Sequence, residues 1–369
     1  MKKIAMKAIV TKAIVIGAFA AAAIVAAPTP SNAQFYQGKR LTILVNYAAG
    51  GPTDIEARVL ARHIGKHLDG VATVIVQNMD GAAGLTGRNY LGEIAPKDGT
   101  MVGYFTGTAF QYANDSRQHR VDYRTYDFVA YQPGTSVYFM RTDVKPGMKT
   151  AADLMKAENL VSGGLGPDNA KDLLLRITLD LLGVNYKYVT GYKGSQGARL
   201  ALQTGEINYY SESPPSYRGV IEPSLVAKGE VIPTYYDPNY DGEKFVETTQ
   251  MRGLDIKSFP EFFQQVKGRM PEGELWEVYK RVIALNGAMQ RMVVLPPNSP
   301  PEAVAALRTA VRKLNDDKSY EDDAIKTFGF GPEWTAHDGV ADHVRRTLVL
   351  PQPVKDFIHA YIKNAPKGR

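Results

Sequence analysis

From Arg40 onward the chain alternates short β-branched runs with amphipathic stretches of helical period. KRLTILV has the composition of a buried strand and stops abruptly on NYAAGGPTD. Beyond that turn, IEARVLARHIGKHL puts Ala57, Leu60, Ala61, Ile64 and Leu68 on one stripe of a helix. The next residues repeat the plan: VATVIVQN is strand-like, DGAAGLTG is a turn with Gly81, Gly84 and Gly87, and RNYLGEIA opens a helix. Two strand-turn-helix units in succession predict a parallel sheet. Both turns then lie at its carboxyl edge, where open α/β sheets bind ligands. A third strand, GTMVGYFTG, brings Thr106, Gly107 and Thr108 to the same edge.

The aromatic strand pattern of DFVAYQPGTSVYFMR marks a change, and a fresh α/β run follows it. NLVSGGLGPDN reads as strand and turn, AKDLLLRITLDLLG as a helix closed by glycine. YKYVTGYKGSQG is strand and turn, ARLALQTG a short helix and EINYYSES a strand. This second set of strands and helices predicts a second α/β domain. From Tyr236 to Leu285 the pattern is less regular, with DPNYDGEKF followed by two aromatic helical stretches. MQRMVVLPPNSPPEAVAALRTAVRKL then reads as strand and helix, with Ser299 as cap, Pro300 at the first helical position and Glu302 completing a capping box.

The beginning of the chain follows a different logic. Four lysines, an apolar run from Ala13 to Ala27 and the small-residue pattern Ser31-Asn32-Ala33 predict a cleavable signal peptide over 1–33. Its removal takes four lysines and no acid, lowering the formal charge of +6 to near +2. A mature chain of that charge, with no long basic block, is not built for nucleic acid. The length left favours two domains. With no cysteine anywhere, thiolate metal sites and cysteine nucleophiles are excluded.

Candidate chemistry narrows the choice further. AAGGPTD lacks the Lys-Ser/Thr end of a phosphate-binding P-loop, and GAAGLTG does not have the dinucleotide glycine spacing. A smaller anion such as a carboxylate still suits backbone amides at a helix start. The first helix can open in two ways, with Gly51 as cap and Pro52 first, or with Thr53 and Glu56 as a capping box. Asp54 either meets ligand or complements the helix dipole. His63 and His67, four apart, fit a solvated helix edge better than a metal pair, and the other histidines show no ligand cluster. KGSQG offers Ser195 without the strand-serine-helix frame of a nucleophile elbow. Hence no catalytic residue, metal or cofactor is expected. Glu212, at the end of INYYSE, stands out from the scattered acids, while Tyr47, Tyr192, Tyr209 and Tyr210 suit either a pocket or the core.

NYAAGGPTD, DGAAGLTG, GYKGSQGARLALQTGEINYYSES and VVLPPNSPPEAVAAL, in this order, resemble the Bug-type solute receptors of tripartite tricarboxylate transporters. The resemblance implies a two-domain periplasmic-binding-protein (Venus flytrap) α/β fold, with 34–135 and 286–369 forming one domain and 136–285 the other. It implies hinges near Gln132 to Thr135 and Met289 to Val294. It also implies a periplasmic monomer that binds a small organic acid between its domains and passes it to a membrane permease. One carboxylate would be gripped by the first-domain turns, through Tyr47, Ala49, Gly50, Gly51, Thr53 and Asp54, with Ala82, Ala83 and Gly84, and with Thr108 at the same edge. The second domain would close with Asp168, Asn169, Ser195, Gln196 and Glu212. Here the chain departs from the family pattern: it has GPDNAK where a Gly-Ser-rich turn with a Ser-His or Thr-His pair is common, and Glu212 where aspartate is common. Two other classes fit the sequence. One is an exported hydrolase using Ser195 or a His63/His67 metal, and the other a ligand sensor for a receptor kinase.

Overall fold

The computed structural model describes residues 35–115 and 118–364, so the segment read as a signal peptide lies outside the described residues. The first strands and helices are β1 (Arg40–Val45), α1 (Pro52–Ile64), β2 (Thr73–Asn78), α2 (Leu85–Glu93), β3 (Met101–Thr106), α3 (Thr108–Asn114) and β4 (Asp127–Gln132). The second run holds β5 (Val137–Arg141), β6 (Leu160–Gly164), α4 (Ala170–Leu182), β7 (Tyr186–Thr190), α5 (Gly194–Thr204), β8 (Tyr209–Glu212), α6 (Pro214–Ser216) and β9 (Val231–Tyr236). A small hairpin of β10 (Asn239–Tyr240) and β11 (Phe245–Val246) follows, then α7 (Phe259–Lys267) and α8 (Glu274–Ala288). The chain ends through β12 (Arg291–Leu295), α9 (Pro301–Leu314), α10 (Lys318–Phe328), α11 (Val340–Thr347) and α12 (Gln352–Lys363).

Two five-stranded sheets result, in the orders β2-β1-β3-β12-β4 and β7-β6-β8-β5-β9. In the first, β1 lies parallel between β2 and β3, and β12 comes back antiparallel between β3 and β4. In the second, β6 runs parallel to β7 and β8, while β5 is antiparallel to β8 and β9. The polypeptide crosses between the sheets twice in the described residues, at 133–136 and at 289–290. There Gly134 N donates to Gly287 O (2.8 Å), and the Gln290 side chain donates to Thr135 O (3.0 Å).

The return of β12 is locked by charge. Arg291 and Glu56 are both buried and form an ion pair that ties β12 to α1. Glu56 therefore packs inward instead of reaching back to cap its own helix. The irregular segment after Tyr236 covers the second sheet: Phe259 and Phe262 pack with tilted rings against Tyr235, and Tyr279 bonds the buried Asp237, which also accepts from Tyr138.

Local expectations differ from the structure at two places. Ser299 does not cap α9: its hydroxyl donates to Pro296 O, Pro300 occupies the cap position, and Pro301 takes the first turn. The last helix, grouped above with the first domain, instead packs on α4 of the second lobe. Tyr361 bonds Asp180 there, and Arg176 donates to Tyr361 O.

Candidate functional site

The turn after β1 is built by Asp54. Its Oδ2 accepts from Gly50 N (2.8 Å) and Arg58 Nε (2.9 Å), and its Oδ1 from Asn78 (3.0 Å). Burial by itself would raise its pKa, but these donors outweigh burial and hold the carboxyl below its ordinary value. Both oxygens are thus occupied, and Asp54 shapes the loop whose backbone faces the cleft. Gly51 is the cap of α1 with Pro52 first, which leaves the next amides of α1 without intrahelical partners. Thr53 is freed from capping and pairs with the Thr106 hydroxyl at 2.8 Å.

The second turn is strained. Ala82 and Ala83 sit at φ 46° and 51°, in the left-handed region that costs an L-residue roughly 1–2 kcal/mol. Gly84, at φ 90°, follows because a Cβ there would stand 2.5 Å from the Asn46 amide. Asn46 in turn bridges to β3, exchanging hydrogen bonds with both backbone groups of Thr106. The strain directs Ala83 O to accept from the Tyr47 hydroxyl (2.9 Å) and from Gln111 (3.3 Å).

Across from these turns stands the second lobe. Asn169 caps α4 through Lys171 N and donates its side-chain amide to the Tyr47 hydroxyl at 3.0 Å. Arg199 donates to Gly50 O (3.2 Å), and Gln196 packs against Gly50, so the two lobes touch. Between them lies a small cavity lined by Tyr47, Gly51, Thr53, Thr106, Asn169, Lys171, Ser195 and Ser213, with Ser136, Asn286 and Gln290 at the hinge end. Its room for water centres is about 50 Å³, where one water needs roughly 10–15 Å³.

The electrostatics of this cavity have one sign. Its lining contains no carboxylate, whereas α1, α4 and α5 all begin at its wall. Lys171 projects among them with an Nζ that is closed off from solvent and has no hydrogen-bond partner. Its nearest neighbours are Asp172 Oδ1 at 3.2 Å and the face of Tyr210 at 4.2 Å. Burial lowers its pKa, but Tyr210, Asp172 and Glu212 more than compensate and raise it, so the ammonium keeps its charge. A cation in the first turn of a helix opposes the helix dipole, so local helix stability does not explain it.

Of the expected residues, Tyr47, Gly51, Thr53, Asn169 and Ser195 line the cavity. Gly50, Ala82, Ala83, Gly84 and Gln196 build or brace its walls, and Ala49 sits exposed on the turn. Thr108 is buried at the start of α3, and Asp168 faces a different cavity. Glu212 is wholly buried behind the wall, with Arg199 Nε 3.5 Å from its Oε1; burial raises its pKa. His63 and His67 point away to α10, pairing separately with Asp323 (2.8 Å) and Asp317 (2.9 Å). Lys171, Ser136, Ser213, Asn286 and Gln290 escaped sequence reasoning. Lys171 did leave a signal, a lysine directly after a capping asparagine.

No family model matches the chain. A UPF0065 protein from the ttuE-ttuC' intergenic region of Agrobacterium vitis is 32% identical over 181 residues, 47% of this chain and 50% of that protein. One from the gbd 5' region of Cupriavidus necator is 24% identical over 199 residues, 53% and 59% of the respective chains. The chain thus spans about half the length of the curated relatives it matches. Among solved structures, the periplasmic binding protein BugD superposes with a TM-score of 0.64 at 19% identity, covering 90% of this chain and all of that one. The chain shares the two-lobed fold of that protein. MatC from Rhodopseudomonas palustris with bound malate shares it, with a TM-score of 0.60, 18% identity, and coverage of 86% and 99%. So does a second R. palustris protein determined with adipate, with a TM-score of 0.64, 18% identity, and coverage of 89% and 98%. The two-lobed α/β architecture expected from the sequence is the observed one.

Proposed function

We propose that the protein is a periplasmic receptor of the Bug type that captures a small organic carboxylate between its lobes and presents it to a tripartite tricarboxylate-type membrane transporter. One observation carries this reading. The cleft is lined without any acid, by the starts of three helices from both lobes and by the buried ammonium of Lys171, which pairs with Asp172 behind the wall but has no hydrogen-bond partner. Helix N-termini and backbone amides favour an anion without demanding a particular side chain. In this reading the α1 turn and the strained Ala82-Ala83 turn hold one carboxylate, while Lys171, Asn169 and Ser195 meet the far end of the ligand. The crossings at 133–136 and 289–290 let the lobes part and close. In this reading the protein binds its ligand without transforming it.

Malate and adipate, bound by the two R. palustris proteins of the same fold, are natural first ligands in a panel of mono- and dicarboxylates. Thermal unfolding of the mature protein should rise with at least one of them, since ligand at 100 times its Kd adds about 2.7 kcal/mol. A flat response across the whole panel would overturn the assignment. Transport in vesicles carrying the permease, with and without the receptor, tests the delivery step.

A further inference from the structure

A second cavity lies outside the cleft and has a different character. It is walled by Leu85 and Arg88 of α2, Gln111 and Asn114 of α3, Asp168 from the second lobe, and His359 of α12. Its room for water centres is about 210 Å³, enough for many waters at roughly 10–15 Å³ each. It shares no lining residue with the cleft. Ala83 O lies between the two, bonded by Tyr47 from the cleft side and by Gln111 from the other.

Arg88 dominates this space. Its side chain is 1% exposed, yet Nε and Nη1 have no hydrogen-bond partner, and it forms no ion pair among the described residues. A guanidinium does not shed its proton in a protein, and burying its charge costs several kcal/mol, against which the structure sets the attraction of Asp168, on the same cavity wall as Asp115. Its backbone carbonyl accepts from Tyr126, but among the described residues no hydrogen bond to its side chain within α2 accounts for such a group. Around it are further unmatched groups: Gln111 Oε1, Asn114 Oδ1 and His359 Nε2 are buried without partners. Gln111 lines the cavity and has its amide nitrogen committed to Ala83 O, which leaves its oxygen as an unmatched acceptor. His119, on the same wall, is held neutral, its pKa pushed down to about 3 by burial and by Arg88.

This set is complementary to one kind of molecule. The planar fork of Arg88 matches a carboxylate, and acceptor oxygens on the opposite side require a donor on the same ligand. We propose that the cavity between α2, α3 and α12 is a second ligand site, where Arg88 holds the carboxylate of a small hydroxy acid and Asn114 accepts from its hydroxyl. The site does not depend on the reading of the cleft. Because its walls include Asp168 from the second lobe and His359 from α12, occupancy also ties the two lobes together.

Glycolate is the smallest probe with both groups, and acetate lacks the hydroxyl. Calorimetric titration of the full mature chain should show glycolate binding that persists in Lys171→Met, where the cleft is impaired, and weakens at least tenfold in Arg88→Met. Acetate should bind several-fold more weakly than glycolate, and Asn114→Leu, which keeps the guanidinium, should shrink that preference. Glycolate binding unchanged by Arg88→Met would overturn the proposal, as would the absence of any glycolate binding in Lys171→Met. Should Arg88→Met fail to fold, an unaltered glycolate-to-acetate preference in Asn114→Leu would overturn it equally. Loss of carboxylate binding in the cleft alone, with glycolate binding at Arg88 intact, would refute the receptor reading and leave this site standing.

Discussion

Replacing Lys171 by methionine is the sharpest test of the cleft. The substitution keeps most of the side-chain volume and removes the single cation lining the cavity. Lys171 Nζ is shielded from solvent and, beside its ion pair with Asp172, has no hydrogen-bond partner, so a ligand carboxylate reaching it would gain a charge-assisted hydrogen bond in a dry setting. Such bonds are worth about 1.5–3 kcal/mol, which converts to a rise in Kd of about 10- to 150-fold at 1.4 kcal/mol per decade. The change also removes the cation 3.2 Å from the buried Asp172, so the ligand-free fold loses stability as well. The two effects separate by measuring the ligand-free Tm alongside calorimetric Kd values at a temperature well below it. Lys171→Arg keeps the charge and should lose less affinity than Lys171→Met. A Kd for Lys171→Met within twofold of the native value, for every carboxylate that binds, would refute the assignment of Lys171 to the ligand.

Three further outcomes follow from the structure. Asp54→Ala orphans Gly50 N and the Asn78 amide and frees Arg58, so denaturant unfolding should show a loss of about 1–3 kcal/mol, with weaker ligand binding although Asp54 does not line the cleft; unchanged stability would show that the loop holds without it. Arg291→Met strands the buried Glu56 and should cost about 3–5 kcal/mol, most of it recovered in the Glu56→Leu/Arg291→Met double variant; no recovery would mean that packing, not charge, ties β12 to α1. Asp237 is pushed up to about 7 by burial, despite bonds from Tyr138 and Tyr279. Its raised pKa means that the folded state holds this proton more tightly than the unfolded chain does. The associated stability is complete below about pH 4 and fades as pH rises through about 7, by at most about 4 kcal/mol. Asp237→Asn should flatten that part of the stability-pH curve measured by urea titration, and an unchanged slope would contradict the raised pKa.

Local chemistry made much of this architecture legible. The strands, the helix stripes and the two glycine turns at one sheet edge follow from period, propensity and backbone freedom, which act over a few neighbouring residues. For that reason the turns could be read as an anion grip before any contact was visible. The start of α1 shows where such reading stops. Two cap geometries were locally consistent, and the choice fell to partners far along the chain: Thr53 is claimed by Thr106 and Glu56 by Arg291. Ser299 and α12 departed from expectation for the same reason, because a hydroxyl takes the acceptor that tertiary packing offers and the last helix meets Asp180 and Arg176 of α4 through Tyr361.

The side chains with the most to say about ligands belong to that second category. Lys171 and Arg88 look in sequence like ordinary solvated charges on amphipathic helices. Only the packing of two lobes shuts them away from water and leaves Lys171 Nζ and Arg88 Nε and Nη1 without hydrogen-bond partners. Asn286 and Gln290 reach the cleft because α8 and β12 pass through the hinge. The sequence by itself determined the turns and where they lie on the sheet edge, since strand, turn and helix starts need nothing from afar. Tertiary structure decided which side chains face an enclosed space, because desolvation depends on what the rest of the chain lays over them.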